Sequence, residues 1–338
     1  MSEPAAAFGT ACPVAAAASA GTADLYTNAA WRDAAQGLSL SVVVPFFEYD
    51  VEPLARRLLA LAERAGATVP LIFVDDGSKN PAFHRMLWAV LSQADQPCQL
   101  AVLHRNAGRA KVRNYLCQLA RTPYLLYFDA DMWPDDDDCL VRYLGWIAAG
   151  AVDVIYGGRS AQTVVLKGPQ YELHRLMTVQ REALPARVRR NYPAFHFYSC
   201  NFVVRKAILQ TYPLDVRFTG WGWEDIEWAS RVEGTYTIRH EDNPASHLGL
   251  LTAAQLLAKY DESVGNFTLM LQRRPDLVTH MALFRVARIA GKLGLQSILG
   301  AVARRIAQAE SLPIGLRMRC LMLYKASLYA PVAAAARL

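Results

Sequence analysis

Four clusters in this chain have the residue types and spacing for chemistry. Asp129-Ala130-Asp131 sets two carboxylates one residue apart after an apolar run. Left alone they repel; a hard divalent cation, Mg²⁺ or Mn²⁺, removes that penalty because it prefers oxygen ligands. A solvated loop is the competing reading, and the following Asp135–Asp138 suit the acidic first turn of a helix. Asp75-Asp76-Gly77-Ser78 follows a second apolar run. A carboxylate there can accept from a base or ribose, and Ser78 or Asn80 can equally cap the next helix. Arg109 and Arg113 fall four apart on one helical face, near a helix start that suits a diphosphate or, equally, on a solvated face. Gly220-Trp-Gly-Trp-Glu-Asp225 places two indoles beside two carboxylates. Indole faces stack on sugar rings and a carboxylate can take a hydroxyl proton; a Trp-rich core with acids at a helix start is the alternative.

These residues need elements to hold them. Leu38–Phe47, Leu71–Val74, Gln99–Leu103, Tyr124–Phe128 and Val152–Tyr156 read as short buried strands. Between them Glu52–Arg64, Pro81–Gln93, Arg109–Leu119 and Asp135–Ala149 carry helical periodicity. Apolar strands alternating with helices imply an α/β fold with a mostly parallel sheet flanked by helices. Such sheets bind ligands beyond the carboxyl ends of their strands, where both acidic clusters fall. Residues 159–198 are irregular, basic and aromatic, and read as an inserted or flexible region. Ser199–Val204 returns to strand character, and beyond about Leu251 the pattern is helical.

The chain has 338 residues, 53% of them hydrophobic, which excludes a wholly disordered protein. Three regions are expected: an Ala-rich disordered extension over 1–36, a catalytic domain over 37–250, and a basic helical region over 251–338. The uncharged stretch from Pro4 to Ala23 lacks the basic start of a signal peptide. No segment reaches the ~18 apolar residues of a spanning helix. The six cysteines show no C-x-x-C spacing and suit a reducing compartment.

Net charge is +6 but uneven: from Arg273 onward eleven Lys/Arg face only Asp276 and Glu310. Arg285, Arg288 and Lys292 share a helical face, with Val286, Ile289 and Leu293 beside it. That pattern suits a helix on an anionic membrane, or a cap packed on the catalytic domain. No nucleic-acid motif accompanies the charge, so no nucleic-acid partner is expected.

Taken together, Ser41-Val-Val-Val-Pro45, Val74-Asp-Asp-Gly-Ser78, Asn106-x-Gly-x-Ala-x-x-Arg-Asn114, Phe128-Asp-Ala-Asp131 and Gly220–Asp225 resemble glycosyltransferase family 2. The resemblance covers about Leu38–Gly249. It implies the GT-A nucleotide-diphospho-sugar transferase fold. The Gly-Trp-Gly-Trp-Glu-Asp stretch looks like the acceptor-side motif of galactosyl- and N-acetylgalactosaminyltransferases. The resemblance implies that Pro45 opens the loop under a uridine and that Asp76, with Asp75 nearby, contacts base or ribose. Arg109, Arg113, Asp129, Asn201 and Trp223 join the nucleotide-sugar site. Asp131 ligates Mn²⁺ or Mg²⁺, with Asp129 in support and His247, rather than His240, as a further ligand. Asp225 is the implied catalytic base and Glu224 holds a sugar. The implied reaction moves a hexose, Gal or GalNAc, from a UDP-sugar to a hydroxyl of a glycan or lipid-linked acceptor in surface polysaccharide synthesis. The expected place is the cytoplasm, peripheral at the inner face of the membrane. A nucleotide-sugar-binding protein without turnover at a membrane surface is the alternative, which the Glu224-Asp225 pair disfavours. A nucleotidyltransferase or phosphohydrolase would want a Gly-rich loop where Pro45-Phe-Phe-Glu-Tyr49 stands.

Overall fold

Eleven strands and fifteen α-helices make up the described residues of this computed structural model, 23–34, 37–150 and 152–336. In chain order the first elements are β1 (Ala23–Thr27), α1 (Ala29–Asp33), β2 (Leu40–Phe46), α2 (Glu52–Arg64), β3 (Leu71–Asp75), α3 (Ala82–Leu91), β4 (Cys98–Leu103), α4 (Arg109–Leu119) and β5 (Tyr124–Phe128). Next come β6 (Met132–Pro134), α5 (Cys139–Ala148), β7 (Val154–Tyr156), β8 (Arg159–Ser160), α6 (Glu172–Met177), α7 (Ala186–Arg189), β9 (Asn201–Arg205) and α8 (Lys206–Thr211). The last are α9 (Glu224–Val232), β10 (Ile238–His240), β11 (Ala245–His247), α10 (Ala253–Glu262), α11 (Val264–Arg273), α12 (Pro275–Val278), α13 (Ala282–Lys292), α14 (Gln296–Gln308) and α15 (Ile314–Ala335). They divide into two units, one holding most of the residues to Val154 together with Ser199–Thr211, the other holding Ile155–Tyr198 and Tyr212 onward.

The first unit is built on strands in the order β1-β4-β3-β2-β5-β9. β2 pairs in parallel with β3 and β5, and β3 with β4. β1 and β9 are antiparallel additions. Every residue of β2 and β3 is buried, as the unbroken apolar runs require of strands covered on both faces. Pro45 is tolerated inside β2 because the ladder to β5 ends at Val43 and Tyr127, so no β5 bond needs its missing N–H. α2 buries Leu54, Ala55, Leu58, Leu61 and Ala62, one face of a 3.6-residue repeat.

Two expectations for this unit are corrected. Residues 23–33, assigned to a disordered extension, form β1 and α1. Asn28 anchors them: its amide donates to the carbonyls of Leu91, Ala94 and Gln96, and its oxygen accepts from Trp31 N and Cys98 N. Residues 1–22 lie outside the described residues. Asp135–Asp138 do not form a helical turn, since α5 starts at Cys139. Arg57 takes Asp137, Arg64 takes Asp138 and Arg142 takes Asp136.

The second unit carries the helical C-terminal region. Residues 159–198 are folded rather than irregular throughout, with α6, a π turn over Thr178–Glu182, and α7. Arg189 is buried there and donates to the carbonyls of Leu184, Tyr156, Gly157 and Glu241. α15 is the hub of the helices: α13 packs on it, with Ala330 and Ala334 against Gly291, and α14 packs with Ser327 against Gly300. Among the described residues no helix is long and apolar enough to cross a membrane.

Candidate active site

The loops at the carboxyl ends of β2 and β3 are tied together. Ser78 Oγ accepts from Glu48 N at 2.8 Å, and Glu48 Oε1 accepts from Lys79 N at 2.7 Å. Asp75 closes the turn by accepting from Ser78 N at 2.9 Å and lies 3.2 Å from His84 Nδ1. Gly77 is obligatory: its φ is 78°, and a Cβ would sit 2.6 Å from the backbone of Arg105. Asp76 is nearly buried, and its two oxygens accept from Ala107 N at 2.6 Å and Gly108 N at 3.0 Å. The amino end of α4, suited by sequence to a diphosphate, is thus filled by Asp76. Burial raises the Asp76 carboxyl above the ordinary carboxylate range, and the two amide hydrogen bonds oppose that rise.

β5 delivers the paired carboxylates. Asp129 N donates to Cys200 O at 3.0 Å, and Met132 N donates back to Asp129 O at 3.0 Å. The resulting tight turn sets Asp131, half-buried, two residues beyond Asp129. Arg113, 2% exposed, ion-pairs with Asp129 Oδ1, while the more exposed Arg109 reaches within 3.8 Å of Oδ2. The two arginines of α4 therefore differ. Arg113 is buried against Asp129, whereas Arg109 is 44% exposed beside the same carboxylate. Asn201 has no exposed surface; its Oδ1 accepts from Tyr143 Oη at 2.7 Å, so it braces β9 from inside.

The chemistry of this donor set is compatible with a divalent metal. Among the described residues no three His, Cys, Asp or Glu side chains gather into a cage. Mg²⁺-type sites commonly use one or two carboxylates and take their other oxygens from phosphates and water. Asp131, with Asp129 held in place by Arg113, offers that pair.

In the second unit the Gly220–Asp225 loop is pinned from the helical region. Asn266 Oδ1 accepts from Gly220 N at 3.4 Å, and its Nδ2 donates to Gly222 O at 2.8 Å. Gly220 passes so close to α10 that a Cβ would meet Glu262 O at 2.2 Å. Trp223 adopts a left-handed backbone, φ 76°, at the entry to α9. A relay holds it: Trp223 Nε1 donates to Tyr329 Oη at 2.9 Å, which lies 2.7 Å from Ser263 Oγ, which donates to Tyr260 O. The Trp223 ring is buried against Phe267 and Tyr329. That corrects the expectation that Trp223 offers a face to a sugar; Trp221, half-buried against Tyr260, retains more surface. Lys325 sits 5.6 Å from the Trp223 ring centre and 4.9 Å from that of Tyr260, and burial pulls its pKa down to about 8. Glu224 is buried at the start of α9, and Asp225 is half-exposed one residue on. An open depression lined by Arg217, Thr219, Gly220, Glu262 and Asn266 borders the loop.

The two candidate histidines separate cleanly. His240 is fully buried; Arg189 Nη1 lies 3.1 Å from its Nδ1 and Pro193 O lies 3.0 Å from its Nε2, so both nitrogens are spent structurally. His247 stands edge-on to His174 at 5.4 Å. Burial pushes the nearby Glu182 carboxyl up, but Arg159, His247 and His174 outweigh it and hold it below its ordinary value. Sequence reasoning missed His174, Glu182, Asn266 and Tyr329. Asn266 in the apolar repeat of α11 was the available signal, since buried amides are kept for their hydrogen bonds.

The family model described as Glycosyl transferase family 2 matches residues 41–212, which span β2 through α8. The chain belongs to glycosyl transferase family 2. It is therefore a glycosyltransferase, and the family match ends before the Gly220–Asp225 loop. The fold is shared with the mannosyltransferase PcManGT of Pyrobaculum calidifontis, solved with GDP-Man and Mn²⁺ (TM-score 0.52, 16% identity, 89% of this chain and 90% of that one). S. aureus TarS 1–349 matches with a TM-score of 0.47 and 14% identity over 85% of this chain and 89% of that one. Glucosyl-3-phosphoglycerate synthase from Mycobacterium tuberculosis, solved with Mn²⁺, UDP and glucosyl-3-phosphoglycerate, matches with 0.45 and 14% over 70% and 80%. No curated protein sequence matches the chain.

Proposed function

We propose that this family 2 enzyme transfers a hexose from a UDP-sugar to a hydroxyl of a glycan or lipid-linked acceptor, with inversion and with the help of a divalent metal. The observation that carries the reading is the turn after β5, which sets out Asp131 while Arg113 restrains Asp129. The PcManGT fold, solved with a nucleotide-sugar and Mn²⁺, supports a donor of that class.

Asp131 and Asp129 are the residues that would hold Mn²⁺ or Mg²⁺, with the remaining oxygens from phosphate and water; His247, grouped with no carboxylate pair among the described residues, is not carried over as a ligand. When bound, the ion supplies Lewis-acid stabilisation of the diphosphate charge. Arg109 adds a guanidinium to the same anion. Asp225 takes the acceptor hydroxyl proton as the new bond forms between that oxygen and the anomeric carbon. The bond from that carbon to the UDP oxygen breaks, and the pair leaves on UDP. Glu224, beside the base, hydrogen-bonds the sugar. Trp221 supplies the apolar face for a ring, and the Gly-Trp-Gly-Trp-Glu-Asp pattern inclines the choice toward Gal or GalNAc.

Calorimetry of UDP with and without Mn²⁺ tests the donor half. Binding strengthened by the metal and lost in Asp131→Ala supports the reading. Equal binding with and without Mn²⁺, unchanged in that variant, overturns it.

A further inference from the structure

We propose that the turn joining α13 to α14 docks this protein on an anionic lipid surface. The inference goes beyond the transfer reaction and rests on a different part of the chain. α13 buries Phe284, Ala287 and Ala290, and α14 buries Gly300, Ala303 and Ala307. Those are the faces that pack on α15. The apolar surface continues past them. Val286, Ile289, Leu293, Leu295, Ile298 and Val302 are all exposed, within seventeen consecutive residues. The three most exposed bracket the turn: Ile289 60%, Leu293 64% and Ile298 68%. Val286, Ile289 and Leu293 are therefore left uncovered by the packing of α13 on α15. Scattered exposed leucines need no explanation, but a run concentrated on one helix–turn–helix segment does.

The charge says what covers it. From Leu277 to Ala309 there is no Asp or Glu. Arg285, Lys292 and Arg305 are exposed among or beside the apolar side chains. On α13, Arg285 and Lys292 lie on the flank of the Val286–Ile289–Leu293 stripe, by their 3- and 4-residue spacing. Apolar side chains that enter the acyl boundary while cations meet headgroup phosphates are the pattern of an interfacial helix. A neutral protein partner would not need an acid-free segment of this length.

The test uses the full chain and vesicle flotation. Vesicles of phosphatidylcholine with about one third phosphatidylglycerol should carry the protein, and pure phosphatidylcholine vesicles should carry far less. Leu293→Asp with Ile298→Asp should lower the partition by at least about tenfold with an unchanged melting temperature, because both side chains are mostly in water. Arg285→Gln with Lys292→Gln should weaken flotation at low salt and flatten its salt dependence. Flotation that persists in both variants overturns the proposal, as does wild-type protein that never floats. A dimer in solution that the Asp pair splits into monomers also overturns it, and assigns the surface to a second copy.

Discussion

Replacing Asp129 should destabilise the unit built on β1–β5 before it says anything about a metal. Arg113 is 2% exposed and Asp129 15%, so their ion pair is largely withdrawn from water. The other acceptors near the Arg113 guanidinium, Ser199 O and Arg109 O, are both at 3.4 Å and neutral. Asp129→Ala therefore leaves a buried cation with only weak partners. Breaking such a pair typically costs roughly 3–5 kcal/mol. At ~2–4 °C per kcal/mol for a unit of this size, the melting temperature should fall by roughly 6–20 °C. Asp131→Ala removes a half-buried carboxylate from the turn and should move it by only a few degrees. Differential scanning calorimetry of wild type, Asp129→Ala, Asp129→Asn and Asp131→Ala separates the two positions, with UDP titrations on whichever variants stay folded. Asp129→Asn, which keeps an acceptor without the charge, should fall between the extremes. A melting temperature for Asp129→Ala within about 2 °C of wild type would refute the assignment of Asp129 to Arg113.

Asp225→Asn should lower turnover by at least about a hundredfold while UDP affinity stays near wild type, because only the proton acceptor is lost; turnover within threefold in steady-state assays removes Asp225 from the role. Tyr329→Phe keeps the ring stacked on Phe267 at 3.9 Å but leaves the Trp223 N–H buried without its acceptor. That should cost about 1–3 kcal/mol by urea unfolding and reduce turnover more than UDP binding, and an unchanged midpoint would disconnect α15 from the loop. His240 should make the protein acid-sensitive. Burial, then Arg189, pulls its pKa from 6.5 to about 4. Between those values the unfolded chain binds the extra proton, so stability is complete above about pH 6.5 and falls as pH drops toward 4. The loss from pH 7 to pH 5 is about 2 kcal/mol in urea midpoints, and His240→Gln should flatten that slope.

The strands and helices around the donor side were legible because their patterns were strong. Glu52–Arg64, Arg109–Leu119 and Tyr124–Phe128 have the expected bounds, each with an unbroken apolar repeat and a clear break at its ends. β1 was missed because Ala-Asp-Leu-Tyr-Thr is short, polar at one position and preceded by alanines, and its stability comes from pairing with β4. The four aspartates after Pro134 look like a helix start, yet tertiary partners claimed them. Asp135 accepts from Ser160 and Ser246 at the three-stranded sheet β6-β11-β8. Trp223 could not be read correctly from the motif alone. Whether an indole faces a sugar or a core depends on Phe267 and Tyr329, which are 44 and 106 positions away in sequence.

That distance bears on what the C-terminal helices are for. The family match stops at residue 212, and the proposed base stands at 225. Asp225 enters α9 through two glycines and a left-handed Trp223, a backbone that costs free energy and persists only where its surroundings over-determine it. The surroundings that do so are Asn266 on α11, the carbonyl of Glu262 on α10 and the hydroxyl of Tyr329 on α15. Removing residues 251–338 would strip the loop of each of these restraints at once, so if Asp225 is the base, as proposed, the helical region positions it. The same α15 that positions the loop also carries α13 and α14, whose exposed apolar turn is free to serve a second purpose because their packing faces are already filled.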